Sequence, residues 1–131
     1  MKRILLLVFI ISGYSAFGQK DTLGQDLDTL YGVASYYSPH FDSSKTATGE
    51  MYLHSKLTGA SNFYKLNTWV RVTNLRNGRS VVVRINDRMA RRMAAKGRVI
   101  DLSRSAAKIL GFMKSGLTKV QLIKVPKGTK K

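Results

Sequence analysis

Seven carboxylates serve a chain of 131 residues that carries 23 Lys and Arg, so acid–base chemistry has few places to reside. Asp21, Asp26 and Asp28 fall in an aperiodic stretch near the N-terminus; the others are Asp42, Glu50, Asp87 and Asp101. Asp42 lies in Phe41-Asp42-Ser43-Ser44, where an aspartate bonded to nearby backbone forms a turn. Asp101 precedes Ser103 and an alanine-rich helical pattern, a place suited to capping or to the helix dipole. Glu50 closes the loop Thr46-Ala47-Thr48-Gly49-Glu50, and Asp87 ends the run Val83-Arg84-Ile85-Asn86-Asp87-Arg88. An Asn-Asp pair at a strand end reads as a turn, or as a general acid at the rim of a sheet with a second carboxylate nearby. Protonating a glycosidic oxygen needs a carboxyl whose pKa is raised toward the working pH. Guanidiniums at Arg84 and Arg88 would instead favour the ionised form of Asp87. Spacing leaves both readings open.

Other chemistries are thinly represented. With no cysteine, disulfides, thiolate zinc sites, cysteine nucleophiles and lipid attachment through an N-terminal cysteine are excluded. His40 and His54 read as loop residues, so no metal site is expected. No G-x-S-x-G elbow and no Walker-type phosphate loop occurs.

The elements that must position these residues read mostly as strands. Lys2 and Arg3 precede an apolar stretch, Ile4 to Ile11, and Ala16-Phe17-Gly18 is a small-x-small pattern. Residues 1–18 are therefore expected to be an export signal, 19–30 a linker, 31–125 the folded domain and 126–131 a basic, frayed tail. Gly32–Tyr37, Trp69–Thr73, Arg79–Ile85 and Val120–Val125 have strand character, with Asn77-Gly78 as a hairpin turn that tolerates φ > 0 at both positions. Ser103 as N-cap and Gly111 at C′ bracket one helix, and Met89–Ala95 suits a second helical turn. Short strands, Gly/Asn turns and a single clear helix predict a small, mainly β barrel.

The folded stretch 31–125 holds 17 Lys and Arg against four acids. The cations are dispersed and no nucleic-acid motif accompanies them, so no nucleic-acid partner is expected. A solvated basic surface and attraction to an anionic envelope polymer both fit. Among Tyr36, Tyr37, Tyr52, Phe63, Tyr64 and Trp69, some must be core, while one or two at a rim could stack on sugar rings.

The motifs, in order, resemble the RlpA-like (rare lipoprotein A) double-psi β-barrel family, which includes septal lytic transglycosylases. The matching pieces are Gly32-Val33-Ala34-Ser35-Tyr36-Tyr37, Thr46-Ala47-Thr48-Gly49-Glu50-Met51-Tyr52, Leu57-Thr58-Gly59-Ala60, the run from Val70 to Arg79, Val82 to Arg88, and Gly97 to Ser103. The resemblance implies a six-stranded double-psi β-barrel with one or two short helices. It also implies non-hydrolytic cleavage of the MurNAc–GlcNAc linkage in peptidoglycan, leaving 1,6-anhydro ends and needing no cofactor. Asp87 corresponds to the catalytic aspartate and Glu50 to a second active-site acid, with Tyr37, Thr46, Ser61, Asn86 and Arg88 placed to bind substrate. The implied partners are glycan strands and septal or division proteins, and the implied location is the periplasm or cell envelope. The chain is expected to be monomeric, without a membrane span, and soluble rather than lipid-anchored. Three departures stand out: Ser61 replaces the family's histidine, Met89-Ala90 replaces a Gly-Pro pair, and Met89–Gly97 is a few residues longer. Because serine cannot titrate near neutrality, a non-catalytic, expansin-like wall-binding module is the competing expectation.

Overall fold

Strand β1 begins at Thr29, two residues inside the stretch expected to be linker. In the computed structural model, residues 28–130 are described; the expected export signal lies outside them. Six strands follow the chain: β1 (Thr29–Tyr36), β2 (Thr58–Ala60), β3 (Trp69–Asn74), β4 (Ser80–Asp87), β5 (Arg98–Leu102) and β6 (Thr118–Val125). They close in the order β1-β5-β2-β4-β3-β6, the double-psi β-barrel that the resemblance implied. Pairs β1/β5 and β2/β4 are parallel, and the remaining neighbours are antiparallel. Closure leaves none of the six with an unpaired edge.

Period-two patterning explains which side chains turn inward. Along β3, Val70, Val72 and Asn74 are buried while Trp69, Arg71 and Thr73 are partly exposed. Along β4, Val81, Val83 and Ile85 join the core cluster with Ile100, Leu102, Val120 and Leu122. At Gly32 the barrel wall is so close that a Cβ would overlap Val99 Cγ1. Helix α1 (Arg91–Ala95) lies in the β4–β5 connection, shorter than the sequence pattern suggests, and α2 (Arg104–Leu110) joins β5 to the segment before β6. As expected, Ser103 caps α2 by accepting the Ala106 N–H, and Gly111 ends it at φ 77°. Ala106, Ala107 and Leu110 complete the core.

Two turns differ from the sequence reading. Only Gly78 of the Asn77-Gly78 pair has positive φ. Asn77 instead uses its side chain, giving Nδ2 to Leu110 O at 2.9 Å and accepting the Arg79 N–H at 2.9 Å. The tail also turns back at Pro126, whose carbonyl accepts from Thr129 N and Oγ1.

Asn74 ties three elements together. It is 2% exposed, gives Nδ2 to Leu110 O at 2.8 Å, and accepts from Thr118 Oγ1 at 2.8 Å and Arg76 N at 3.0 Å. Thr118 is itself buried, so removing the amide strands its hydroxyl. Asn74→Ala is expected to lower unfolding free energy by about 2–3 kcal/mol in urea titration; a loss under about 0.5 kcal/mol would show the tie to be unimportant.

Candidate active site

Asp87 is the last residue of β4, and strand pairing decides what stands beside it. Ala60 of β2 is in register with Asp87 on one side and Asp101 on the other, and Asp101 is in register with Ser35 of β1. Residues in register share a face, so Ser35, Asp101, Ala60 and Asp87 form one row across four strands. With neighbouring strands about 4.8 Å apart, the two aspartate Cα atoms stand about 10 Å from each other. The β2/β4 register slips between Gly59 and Ala60, skipping Asn86. Such an irregularity re-aims the side chain that follows it.

The Asp87 carboxylate is held by neutral donors. Oδ1 accepts the Ala47 N–H at 3.0 Å and the Arg88 N–H at 2.9 Å, while Oδ2 accepts the Tyr37 hydroxyl at 2.6 Å. A carboxylate offers about four acceptor positions. Oδ1 is thus filled and Oδ2 retains one position. Loop 46–50 delivers the Ala47 N–H because it is stitched shut. Thr46 N and Oγ1 both donate to Glu50 O, at 2.9 and 2.7 Å, and Thr48 N reaches Asn86 O at 3.3 Å.

Tyr37 is positioned in turn by Tyr52, whose fully buried ring stacks on it at 3.9 Å between centroids and 7° between planes. The Tyr52 oxygen accepts the Arg104 N–H at 3.2 Å and lies 2.8 Å from His54 Nδ1. His54 Nε2 lies 3.0 Å from Pro39 O. A carbonyl can only accept, so Nε2 carries the proton and Nδ1 accepts from Tyr52. Asp42 anchors the same loop by accepting the His54 N–H at 2.8 Å. Burial, followed by the bond to Asp87, pushes the Tyr37 phenol above its ordinary pKa, so it remains a donor.

The guanidiniums expected to bear on Asp87 go elsewhere. Arg84 forks onto Glu50 with bonds of 2.7 and 2.8 Å and also donates to Asn67. Arg88 Nη1 donates to the carbonyls of Ser61 and Tyr64, both at 2.6 Å. The bond to Arg84 lowers the Glu50 pKa from 4.5 to about 2 against the opposing effect of burial, with the Thr48 hydroxyl adding to it. Glu50 is therefore a fixed anion.

Several sequence expectations need correction. Asp101 does not cap α2; its carboxylate meets Ser35 Oγ and, at 2.9 Å, Arg98. Ser61, named for substrate binding, is 0% exposed. It donates to Val99 O at 2.9 Å and accepts the Phe63 N–H at 3.2 Å, so it lies beneath the rim and does not face solvent. Thr46 and Asn86 are also buried, the first occupied with its own loop. Only Tyr37 joins Asp87 through a side-chain bond, while Arg88 reaches it through the main chain. The Tyr37–Tyr52 stack and the Asp101 row escaped sequence reasoning, because neither leaves a local signal. Among the described residues, no group of three or more His, Cys, Asp or Glu could hold a metal ion.

A model of the lytic transglycolase family matches residues 29–122. The chain is 42% identical over 121 residues to the endolytic peptidoglycan transglycosylase RlpA of Pasteurella multocida (strain Pm70), covering 89% of this chain and 39% of that protein. It is 50% identical over 91 residues to the probable endolytic peptidoglycan transglycosylase RlpA of Synechocystis sp. (strain ATCC 27184 / PCC 6803 / Kazusa), covering 70% and 27%. The chain thus spans less than half the length of these relatives. Among solved structures, the Streptomyces papain inhibitor aligns with a TM-score of 0.58 at 21% identity, covering 79% of this chain and 97% of that one. A Clavibacter michiganensis expansin in complex with cellohexaose aligns at 0.55 and 18%, covering 79% and 53%. At such identities the likeness concerns the fold.

The Glu50–Arg84 fork sets a pH expectation. A depressed carboxyl pKa contributes stability that is complete above the ordinary value, 4.5, and lost as pH falls toward about 2. In carbon-detected NMR, the Glu50 carboxyl should titrate near 2, and Arg84→Met should return it toward 4.5. An unmoved titration would remove Arg84 as the cause.

Proposed function

Because the chain belongs to the lytic transglycolase family, we propose that its barrel cleaves peptidoglycan glycan strands between MurNAc and GlcNAc without water, leaving 1,6-anhydro ends. The observation that carries this reading is the Asp87 carboxyl, with Oδ1 filled and one open position on Oδ2. Oδ2 is then the atom that handles protons. Protonated there, Asp87 gives its proton to the glycosidic oxygen as that oxygen's bond to C1 breaks. The C6 hydroxyl oxygen of the same sugar closes on C1, and Oδ2 takes its proton. One carboxyl serves both steps, and the proton count returns to its starting state.

Tyr37 holds Oδ2 in place, and its oxygen can also accept from a sugar hydroxyl. Glu50, ionised in its fork with Arg84, fits the positioning of sugar hydroxyls and a favourable field for positive charge at C1; it does not fit proton donation. Asn86, Thr46 and Ser61 act through the loop and strand end that they brace. The setting that follows is the cell envelope. Work in the periplasm beside septal or division proteins, as a soluble monomer, is part of the same proposal.

A second reading rests on Ser61: the family's histidine position is filled by a buried hydroxyl that cannot titrate near neutrality. On that reading the barrel binds wall glycan without cutting it. Mass spectrometry of purified peptidoglycan separates the two. Anhydro-ended fragments are expected from the wild type, at least about 100-fold fewer from Asp87→Asn, and roughly tenfold fewer from Tyr37→Phe through loss of one hydrogen bond to a charged group. Sacculus binding with no fragments from any of the three would favour the binding module.

A further inference from the structure

Between Asp87 and β5 the chain leaves the barrel and returns, and the chemistry proposed above uses nothing of that excursion. Residues 88–98 hold five cations and no acid: Arg88, Arg91, Arg92, Lys96 and Arg98. Two of them are committed to the fold. Arg88 donates to the carbonyls of Ser61 and Tyr64, and Arg98 holds Ser35 and Asp101. Arg91, Arg92 and Lys96 are exposed, and among the described residues their side chains form no hydrogen bond or ion pair. Local structure does not account for them. Arg91 opens α1, where a positive charge opposes the helix dipole, and the first turn holds no acid. Arg92 and Lys96 stand four residues apart, a spacing at which like charges repel along a helix.

The excursion is clamped at both ends beside the row of Ser35, Asp101, Ala60 and Asp87. At its start Met89 is buried, and Asn62 accepts its N–H at 2.9 Å while donating to its carbonyl at 3.0 Å. At its end Gly97 turns the chain at φ 88° and its carbonyl accepts the Val33 N–H at 3.0 Å. Arg98 also donates to Met93 Sδ at 3.6 Å, which ties α1 to β5. Four residues of chain span at most about 14 Å, so α1 begins within that distance of Asp87. No aromatic side chain occurs in residues 88–98 to stack a nucleic-acid base. The exposed positions 91, 92, 95 and 96 carry no large apolar side chain to enter a lipid surface. Guanidiniums suit planar carboxylates. A peptide branch of three or four residues on a bound glycan strand reaches roughly 10–14 Å, a span comparable with the separation of Asp87 and α1.

We propose that Arg91, Arg92 and Lys96 form a docking surface for the carboxylates of the short peptides borne by wall glycan strands. It rests on the reading that Asp87 works on such strands, and it makes peptide-bearing strands the preferred ones.

Co-sedimentation with intact sacculi, and with sacculi stripped of peptides by an amidase, measures the surface directly. The Asp87→Asn protein keeps the strands whole and is compared with the same protein carrying Arg91→Gln, Arg92→Gln and Lys96→Gln together. The triple change is expected to weaken binding to intact sacculi roughly tenfold, as the loss of three exposed ion pairs would. Binding to stripped sacculi should fall less than twofold, which also shows that the barrel is folded. Capping the carboxyls of intact sacculi with ethanolamine should weaken the parent protein as much as the triple change does. Removing equal charge elsewhere, by Lys108→Gln, Lys114→Gln and Lys119→Gln, should leave the preference for intact sacculi in place. Equal losses on intact and stripped sacculi would move the target to the sugar's own carboxylate and overturn the peptide surface. So would an equal effect of the two triple variants, or a loss confined to anionic vesicles or DNA. Peptide-dependent binding by a protein whose wild type makes no anhydro fragments sinks the lyase and keeps the surface. Asp87-dependent fragments from a protein indifferent to the peptides sink the surface and keep the lyase.

Discussion

A strand of three residues governs the site. β2 is wholly buried and pairs with β4 in parallel on one side and β5 antiparallel on the other. Its position in the closed barrel fixes Ala60 between Asp87 and Asp101. The slip at Gly59 then decides which β4 residue stands opposite Ala60: without it Asn86 would take that place, and the carboxylate would lie one step further along. Because all strands close on one another, β2 cannot shift register without disturbing both neighbours. The spacing of the two aspartates is thus a property of the sheet more than of either side chain.

Charge is allotted carefully in a domain so rich in cations. Arg84 neutralises Glu50 and Arg98 neutralises Asp101. Among the described residues Arg88 neutralises no acid; its guanidinium caps two main-chain carbonyls. Asp87 is held by a phenol and two amides. The nearby Arg84 and Arg88, whose spacing pointed to Asp87, give their guanidiniums to other partners.

Local pattern carried part of this into the sequence. The alternation of β3 and the Ser103/Gly111 bracket around α2 are signals within one element, and the structure keeps both. β2 and β5 were not assigned as strands from pattern, since three and five residues are too short to show a period. Asp87 was legible from its strand-end position as one candidate acid, and the ordered motifs of the family singled it out over the turn reading. Asp101 was misread because its partner Ser35 is 66 residues away, whereas the helix it was assigned to begins three residues later. The Tyr37–Tyr52 stack joins a strand end to a loop and is equally invisible to spacing.

Two of the three bonds to the Asp87 carboxyl come from the main chain, at positions 47 and 88. Every residue except proline supplies the same N–H, so the grip on the carboxyl imposes a route on the loop and almost nothing on the letters it is written in. Position 47, exposed to solvent, can therefore drift freely in evolution while the geometry it serves persists. A tally of invariant side chains would overlook one of the groups that hold the centre together.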